Sequence, residues 1–431
     1  MKPCKKSLFL IFIFVAVALN AQLQCDNDTT GLVSLVDLQT GFYLGEFQGG
    51  LYHGGSNEMP LGHLKKGIKI SKSIKPLDSL GNVDWVNGRV IMACFGPSTS
   101  VQPFKQYQQE LDGTEGLNNC FETIILNHVG GIEKMTLDNI DYWEEIDSVK
   151  LIPFGITREQ IQIGWMMNGS RIDSNYEMPL QADSIKAKYI ETFQALKANY
   201  PNLQILYLSP PYYSGYADPF DENYAVNQEP CAYHAGFATK WAIEDQMMGS
   251  PALKYKNPGA MAPFLSWGPH IWADGLRANE WDGLAWDCGR YKPDGAGIHL
   301  NDSGKEFLGH IIYDFFLNDT IAGFWYNDAA KWASCVPSER KENEIPLSEN
   351  ELMIYPNPNS GNFYIATDLL LKDDYTLNII NQFGQIMYSE TNIVSSEKYI
   401  SIETDLPAGI YFVQLMMQDK IMAKEFVVNG R

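Results

Sequence analysis

One stretch near residue 300 combines residue types that serve acid–base chemistry. It reads DGAGIHLNDSG over residues 294–304 and holds Asp294 and His299. An imidazole titrates near neutral pH, and a neighbouring carboxylate orients and charges it, so the pair suits the general base of a hydrolase. Apolar residues then recur at helical spacing, with Asn301 or Ser303 as the expected N-cap. The spacing predicts His299 in a loop at a helix entrance and leaves the nucleophile to another part of the chain.

Ser98 is the best candidate for that nucleophile. It lies in the turn GPSTS directly after Val90–Phe95, which reads VIMACF and is typical of a buried strand. A serine between a strand and a helix presents its hydroxyl at the sheet edge, where helix N-terminal amides stabilise an oxyanion. The alternative role for Ser98 is an ordinary helix N-cap. Ser56, in the glycine-rich sequence GGSN, is a weaker rival because no strong apolar strand directly precedes it.

Three further residues are candidates for donating hydrogen bonds to an oxyanion. Gly130 and Gly131 allow a backbone N–H to approach a reacting carbonyl closely, and Asn168 offers a side-chain amide. Ordinary turns are the alternative for all three. The other histidines, among which His128 and His270 are candidates for lining a cleft, follow no metal-binding spacing, and no CxxC occurs. We therefore expect no metal and no cofactor.

The apolar pattern predicts the elements that position these residues. Residues 90–95, 122–126, 161–165 and 203–208 read as buried strands followed by polar or glycine-rich turns, and residues 182–200 carry apolar side chains at helical spacing. Strand, helix and strand in repetition predict an α/β fold with a parallel sheet. Right-handed crossovers bring all strand carboxyl ends to one edge, where ligands bind in such sheets. We expect the candidate residues to meet at that edge.

Composition and the first residues predict an exported, acidic protein. Residues 1–21 place lysines before a short apolar run and are typical of a secretory signal peptide, with a retained anchor as the alternative. The net charge of -20 argues against a nucleic-acid partner, because phosphate contacts need clustered basic residues. No later segment is apolar enough to be a transmembrane helix. The cysteines that follow the leader permit disulfides, but their spacing leaves the pairing open, with buried free thiols as the alternative.

The chain changes character towards its C-terminus. Residues 338–350 carry many charges and no aromatic residue, as linkers do. Within residues 351–431, short runs with a period of two alternate with turns such as NSG and LPAG, which predicts a small β-sandwich of six or seven strands. This part contains no histidine and no cysteine, so we expect no chemistry there.

Taken in order, the motifs of residues 22–337 resemble those of the SGNH (GDSL-like) hydrolases. Further stretches resemble a subgroup of secreted bacterial proteins of this type, namely GLYHGGSNEMPLGH (50–63), ANYPNLQILYLSPPYYSGYAD (198–218), HAGFATKWAIEDQ (234–246), APFLSWGPHIWADGLRANEWDGLAW (262–286) and GIHLNDSGKEFLGHIIYDFF (297–316). The resemblance implies a three-layer α/β/α, flavodoxin-like domain. It also implies a set of site residues: the nucleophile Ser98, the oxyanion donors Gly130, Gly131 and Asn168, the base His299 and the acid Asp294. The family usually has its acid three residues before the histidine, where this chain has Ala296.

Residues 351–431 resemble the type A sorting domain of the type IX secretion system. The resemblance is carried by IYPNPNSGNFYI (354–365), INQFGQIMY (380–388) and LPAGIYFVQL (406–415). It implies that the type IX secretion machinery of a Bacteroidetes-type bacterium recognises this domain, exports the protein across the outer membrane and removes the domain.

Together, the residues and the resemblances predict a secreted serine esterase that hydrolyses carboxylic esters. An acetyl ester on a polysaccharide is the favoured substrate, because the protein is exported and because the aromatic-rich region 207–286 offers faces that suit sugar rings, although core packing accounts for most of those aromatics. The alternative, motivated by the displaced acid, is a non-catalytic carbohydrate-binding or surface protein on the same scaffold. The expected partners are thus a small-molecule or polysaccharide ester and the secretion machinery.

Overall fold

The computed structural model describes two parts of the chain. The first part comprises residues 23–127, 131–167, 177–217, 229–293 and 297–335, and the second comprises residues 352–428 apart from 356, 358, 360, 368–374, 394–398, 405 and 418–419. The signal peptide and the linker predicted from the sequence lie outside the described residues. Within these described ranges, no helix combines the length and the apolar character that crossing a bilayer requires.

Short elements precede the main sheet. They are the helix α1 (Leu35–Leu38), the two-stranded hairpin β1 (Phe42–Tyr43) and β2 (Phe47–Gln48), and the helix α2 (Leu61–Ser73). The strands of the main sheet are β3 (Val90–Phe95), β4 (Phe121–Ile125), β5 (Ile161–Met167), β6 (Ile205–Ser209) and β7 (Phe264–Trp267). The helices that connect or follow these strands are α3 (Ser98–Leu111), α4 (Ile140–Ile146), α5 (Leu180–Asn199), α6 (Cys231–Met247), α7 (Asp302–Asn318), α8 (Gly323–Tyr326) and α9 (Ala329–Trp332).

The five strands form one parallel sheet in the order β4-β3-β5-β6-β7. Numbered within the sheet, this is the 2-1-3-4-5 order of flavodoxin-like folds. Strands β3, β5, β6 and β7 are buried along their whole length, which explains why their sequences are nearly continuous apolar runs instead of alternating ones. The predicted α/β fold with a parallel sheet is confirmed.

One face of the sheet packs against α3 and α7. The pairing register aligns Cys94, Trp165 and Tyr207, so their side chains point to the same face. Trp165 stacks on Phe104 of α3 with ring centroids 5.7 Å apart, and Tyr207 packs edge-on against Phe316 of α7 at 5.1 Å. The helices α3 and α7 also pack on each other and thereby form one layer.

The opposite face is covered by α4, α5 and α6. Phe95 follows Cys94 in β3 and therefore points to this face, where its ring lies 5.6 Å from that of Tyr200 at the end of α5. The Tyr200 ring in turn packs edge-on against Trp143 of α4 at 6.0 Å, and α5 packs on α6. Helices on both faces of one sheet make three layers.

Two disulfides hold the ends of this first part in place. Cys25 pairs with Cys288, and Cys120 pairs with Cys335. Cys94 and Cys231 are buried free thiols. Both outcomes considered from the sequence, disulfides and free thiols, therefore occur in the same chain.

The C-terminal part has a hydrophobic core of its own. Its strands are β8 (Met353–Tyr355), β9 (Asn362–Ala366), β10 (Tyr375–Asn381), β11 (Ile386–Ile393), β12 (Tyr399–Glu403), β13 (Gly409–Met417) and β14 (Lys420–Val428). They form two antiparallel sheets in the orders β11-β10-β13-β14 and β12-β9-β8. Side chains from both sheets share one buried cluster, in which the rings of Phe363 and Phe426 lie 4.5 Å apart. This arrangement is the predicted β-sandwich.

Candidate active site

Ser98 stands where the buried strand β3 meets the helix α3. Gly96, just after the strand, has a φ of +133°, and a Cβ at this position would lie 2.6 Å from the carbonyl oxygen of Met167. Only glycine fits such a turn without strain. Pro97 then serves as the N-cap residue with extended backbone, so that α3 begins at Ser98 itself. The strand and the glycine together bring the serine to the carboxyl edge of the sheet.

The Ser98 hydroxyl contacts a histidine from a distant segment. Its Oγ lies 3.2 Å from Nε2 of His299, a residue 201 positions further along the chain. Ser98 is exposed, and it occupies the first turn of α3, where unpaired backbone N–H groups carry the positive end of the helix dipole. The alternative role of Ser98 as an N-cap is wrong, because Pro97 occupies that position and the Ser98 oxygen faces His299.

Two hydrogen bonds to backbone carbonyls hold the loop that carries His299. The hydroxyl of Tyr212 donates to the carbonyl of Ile298 at 2.5 Å, and the backbone N–H of Lys292 donates to the carbonyl of His299 at 2.9 Å. At Gly297, with a φ of +71°, a Cβ would lie 2.0 Å from the carbonyl oxygen of Tyr216. The loop therefore lies directly on the Tyr216 backbone, and glycine is required at the contact.

Asn301 ties the same loop to the start of α7. Its side-chain oxygen accepts a hydrogen bond from the Gly304 N–H at 3.1 Å, which makes Asn301 the N-cap of α7 as predicted. Its side-chain amide donates to the carbonyls of Gly289 and Tyr291 at 2.6 and 3.2 Å. Three hydrogen bonds from one side chain thus fix the backbone two residues beyond His299.

A small cleft of about 20 Å³ opens beside the Ser98 hydroxyl. It is lined by Ser98, Thr99, Gln102, Pro103, Tyr212, Lys292, His299, Leu300 and Lys305. A cavity needs about 10–15 Å³ of such volume to hold one water molecule. The cleft therefore has room for one group slightly larger than a water molecule. Lys292 brings a positive charge to the cleft wall, whereas the charge of Lys305 is paired with Asp302 at 2.7 Å. A positive charge beside the cleft suits a developing oxyanion or a carboxylate product. Burial raises the pKa of Tyr212 well above its usual range, so this phenol stays neutral.

The structure describes some of the predicted site residues but not others. Asp294, Gly130 and Asn168 lie outside the described residues, so their proposed roles stay predictions. Gly131 begins the 3-10 turn Gly131–Lys134 beyond β4, and its role as an oxyanion donor is likewise untested. The rival serine, Ser56, has its hydroxyl bonded to the backbone of Glu58 at 3.0 Å, so it takes part in a local turn.

Tyr212, Lys292, Gln102 and Lys305 line the cleft but were not predicted from the sequence. Tyr212 follows the turn after β6, at the same sheet edge as Ser98, so the rule that ligands bind at strand carboxyl ends could have found it. The other three come from helices and from the loop before His299, and their approach to Ser98 depends on tertiary packing. Elsewhere in the described part of the chain, no group of three or more His, Cys, Asp or Glu side chains is arranged to hold a metal ion.

Comparison with known protein families identifies the C-terminal part. Residues 353–429 match the model of the secretion system C-terminal sorting domain. The match confirms the sorting domain predicted from the sequence and implies an interaction with the type IX secretion machinery. The protein is therefore exported, either to the cell surface or into the medium. No curated protein sequence matches the chain.

Solved structures give only distant similarities. A carbohydrate acetylesterase from Xanthomonas citri is 10% identical with a TM-score of 0.24, and the match covers 75% of this chain and 64% of that one. An endo-beta-1,4-mannanase from Thermotoga petrophila is 11% identical with a TM-score of 0.18, covering 80% and 79%. A DUF3244 family protein with an immunoglobulin-like β-sandwich fold from Bacteroides vulgatus is 15% identical with a TM-score of 0.16, covering 18% and 83%. At such TM-scores, these similarities do not assign an activity to the chain.

Proposed function

We propose that the protein is a secreted serine hydrolase of the SGNH type that cleaves carboxylic esters. The observation that supports this proposal most is the 3.2 Å distance between the Ser98 hydroxyl oxygen and Nε2 of His299. A nucleophile and a base within hydrogen-bond reach are the minimum that acyl transfer requires. Both residues lie at the carboxyl edge of a parallel sheet, where ligands bind in such folds, and the nearby N-terminus of α3 favours negative charge.

The chemistry proceeds by two acyl transfers. Ser98 Oγ attacks the ester carbonyl while Nε2 of His299 takes the hydroxyl proton, and the carbonyl oxygen becomes an oxyanion. We assign the backbone amides at the start of α3 as donors to that oxyanion, with Gly130, Gly131 and Asn168 as further donors. The imidazolium returns its proton to the departing alcohol, and an acyl-serine remains. Water, activated by the same imidazole, then releases the acid and restores Ser98. Asp294 is the residue proposed to orient the imidazole.

The dimensions of the cleft support a small acyl group. A volume of about 20 Å³ beside Ser98 admits an acetyl methyl but not a long acyl chain. Ser98 is exposed, so the alcohol portion of the ester can remain in solvent and can belong to a large molecule. Together with export of the protein, these features favour an acetylated polysaccharide as the substrate.

The test is hydrolysis of p-nitrophenyl acetate by the wild type and by the variants Ser98→Ala and His299→Ala. We expect each variant to lose at least about a thousandfold in kcat, because the two groups act as one unit. Ser56→Ala is the matched control and should retain wild-type activity, since its hydroxyl bonds only the local backbone of Glu58. Equal rates for the wild type and Ser98→Ala would refute the assignment, and absence of ester turnover in the wild type would refute the esterase.

A second candidate function is a non-catalytic carbohydrate-binding protein on the same scaffold. It is favoured by one sequence observation: the residue three positions before His299 is Ala296 instead of an acid. Labelling with a fluorophosphonate probe separates the two functions, because only an activated serine reacts. Labelling that is lost in Ser98→Ala supports the hydrolase. If Asp294→Asn keeps full esterase activity, Asp294 has no part in the mechanism, although Ser98 and His299 keep theirs.

A further inference from the structure

A second and larger cleft lies at the end of the edge strand β7, three strands along the sheet from β3. It has a volume of about 270 Å³, just below the ~300 Å³ at which ligand pockets usually begin. Its walls include Tyr52, Asn57, Trp267, His270, Trp281 and Asp282. None of these residues lines the cleft beside Ser98, so the two clefts are separate.

Internal hydrogen bonds hold the walls of this cleft in position. Nε1 of Trp267, the last residue of β7, donates to the carbonyl of Leu51 at 2.8 Å. The side-chain amide of Asn57 donates to the carbonyl of Val36 at 2.8 Å. The first bond attaches the segment between β2 and α2 to the end of β7, and the second attaches it to α1. Because the amide nitrogen of Asn57 donates to Val36, its side-chain oxygen Oδ1 is the atom without a partner among the described residues.

Three polar atoms of two cleft-lining residues are buried and unpaired. They are Nδ1 and Nε2 of His270 and Oδ1 of Asn57, and none has a hydrogen-bond partner among the residues that the structure describes. Buried polar groups are normally paired, because leaving them unpaired opposes folding. Burial lowers the pKa of His270 to about 4, although the carboxylates of Asp282 and Asp37 oppose this shift. At neutral pH the imidazole therefore carries one N–H donor and one bare nitrogen acceptor.

The pattern of unpaired atoms determines which ligand chemistry fits. The cleft needs groups that donate to Asn57 Oδ1 and to the bare His270 nitrogen, and a group that accepts from the His270 N–H. An ammonium ion only donates, so it would leave the imidazole N–H unpaired. A carboxylate or phosphate only accepts and would also face the carboxylates of Asp282 and Asp319, which line the same cleft. A hydroxyl group donates and accepts, so neighbouring hydroxyls satisfy all three atoms.

Aromatic side chains complete the site. Tyr52, Trp267, Phe315 and Trp281 lie in its walls, and Trp281 is 52% exposed although it is one of the largest apolar side chains. Aromatic faces can pack against the C–H faces of sugar rings, and the exposed Trp281 in the cleft wall offers such a face. We propose that the cleft between Asn57, His270 and Trp281 binds one neutral sugar ring through its hydroxyl groups. This proposal does not depend on ester hydrolysis at Ser98.

The experiment is saturation-transfer NMR on the full exported chain carrying Ser98→Ala, so that no ester chemistry contributes. The probes are five neutral sugars (glucose, galactose, mannose, xylose and N-acetylglucosamine), the cation methylammonium and the anion glucuronate. We expect at least one neutral sugar to bind and methylammonium and glucuronate not to bind. Failure of all five sugars, or stronger binding of either charged probe, would overturn the proposal.

Two variants connect the binding to this cleft. His270→Phe keeps a ring but removes the unpaired nitrogens, so we expect affinity to fall about tenfold or more while the urea midpoint stays equal or rises. A structural role would instead lower the midpoint. Trp281→Ala should also weaken binding, whereas Phe42→Ala, an aromatic residue of equal exposure outside the cleft, should not. Unchanged sugar binding in both His270→Phe and Trp281→Ala would show that the sugar binds elsewhere.

Discussion

The substitution Gly96→Ala tests whether the turn after β3 positions the nucleophile. Gly96 has a φ of +133°, and an added Cβ would lie 2.6 Å from the carbonyl oxygen of Met167 and 2.9 Å from Oγ of Ser100. The Ser100 side chain can rotate away. The Met167 carbonyl cannot, because it belongs to the backbone of the last residue of the neighbouring strand β5. The turn itself must therefore move.

The size of that movement follows from ordinary contact distances. Real Cβ contacts are essentially never under 3.0 Å and are ordinarily 3.4 Å or longer, so the contact with Met167 must lengthen by at least 3.0 − 2.6 = 0.4 Å and by 3.4 − 2.6 = 0.8 Å to become ordinary. Ser98 is two residues away, and a similar shift of its Oγ, now 3.2 Å from Nε2 of His299, would break that hydrogen bond. A misplacement near 1 Å costs about a hundredfold in rate, so we expect kcat/KM for p-nitrophenyl acetate to fall about a hundredfold. The strained φ should lower the free energy of unfolding by about 1–3 kcal/mol.

Gly62→Ala is the matched control for this prediction. Gly62 lies in α2 without a positive φ, and a Cβ there meets no atom within 4 Å. Alanine should therefore leave activity unchanged and raise the free energy of unfolding by up to about 1 kcal/mol. Kinetics and urea unfolding of both variants are measured together. Wild-type kcat/KM in a folded Gly96→Ala variant would refute the reasoning, because Ser98 would then be placed by something other than this turn.

Three further predictions concern pH, disulfides and export. Burial lowers the pKa of His234 to about 4, below its unfolded value of 6.5. The unfolded chain alone therefore takes up this proton between those values, and the free energy of unfolding falls as the pH drops through them. The urea midpoints at about pH 5 and pH 7.5 should differ less in His234→Gln than in the wild type. Equal differences would contradict this. When the mature chain is unfolded without reductant, a thiol reagent should react with two cysteines, Cys94 and Cys231. Reaction with more than two cysteines would mean that a disulfide is absent. A chain without residues 353–429 should not be exported, so its esterase activity should be found inside the producing cell. Activity in the medium would show that another signal directs export.

The sequence alone predicted an element correctly where one strong pattern determined its structure. Val90–Phe95 is a strand with the predicted bounds, because a run buried on both faces shows the same apolar signal at every position. The second predicted strand, 122–126, is shifted by one residue to Phe121–Ile125. The approach of Ser98 and His299 was predictable because the carboxyl ends of parallel strands share one edge. That rule predicts which residues meet but not the distance between the Ser98 hydroxyl and the His299 ring.

Tertiary packing decided what the sequence did not reveal. The helix α6 was missed because it is buried nearly all round, so its apolar residues mark no single face. The strand β7 has only four residues and is followed by Gly268 and a proline, so it gave little signal. The disulfide pairs join residues 263 and 215 positions apart, and no local spacing records such pairs. For the same reason, His270 was recognisable as a cleft residue but not as one with two unpaired nitrogens.

The two clefts provide separate places for reaction and for recognition on one rigid sheet. Ser98 follows strand β3 and Trp267 ends strand β7. The order β3-β5-β6-β7 places these two strands three spacings apart, roughly 14 Å at ~4.8 Å per spacing. A cleft of about 20 Å³ beside Ser98 contacts only a small acyl group, so it cannot distinguish one acylated polymer from another. A cleft of about 270 Å³ with three unsatisfied polar atoms can make that distinction. A long substrate could then contact both clefts at once, and binding at β7 would raise the effective concentration of its esters near Ser98. On that basis, abolishing the sugar site should raise KM for an acetylated polysaccharide while leaving kcat/KM for p-nitrophenyl acetate unaffected, because the small ester never reaches β7.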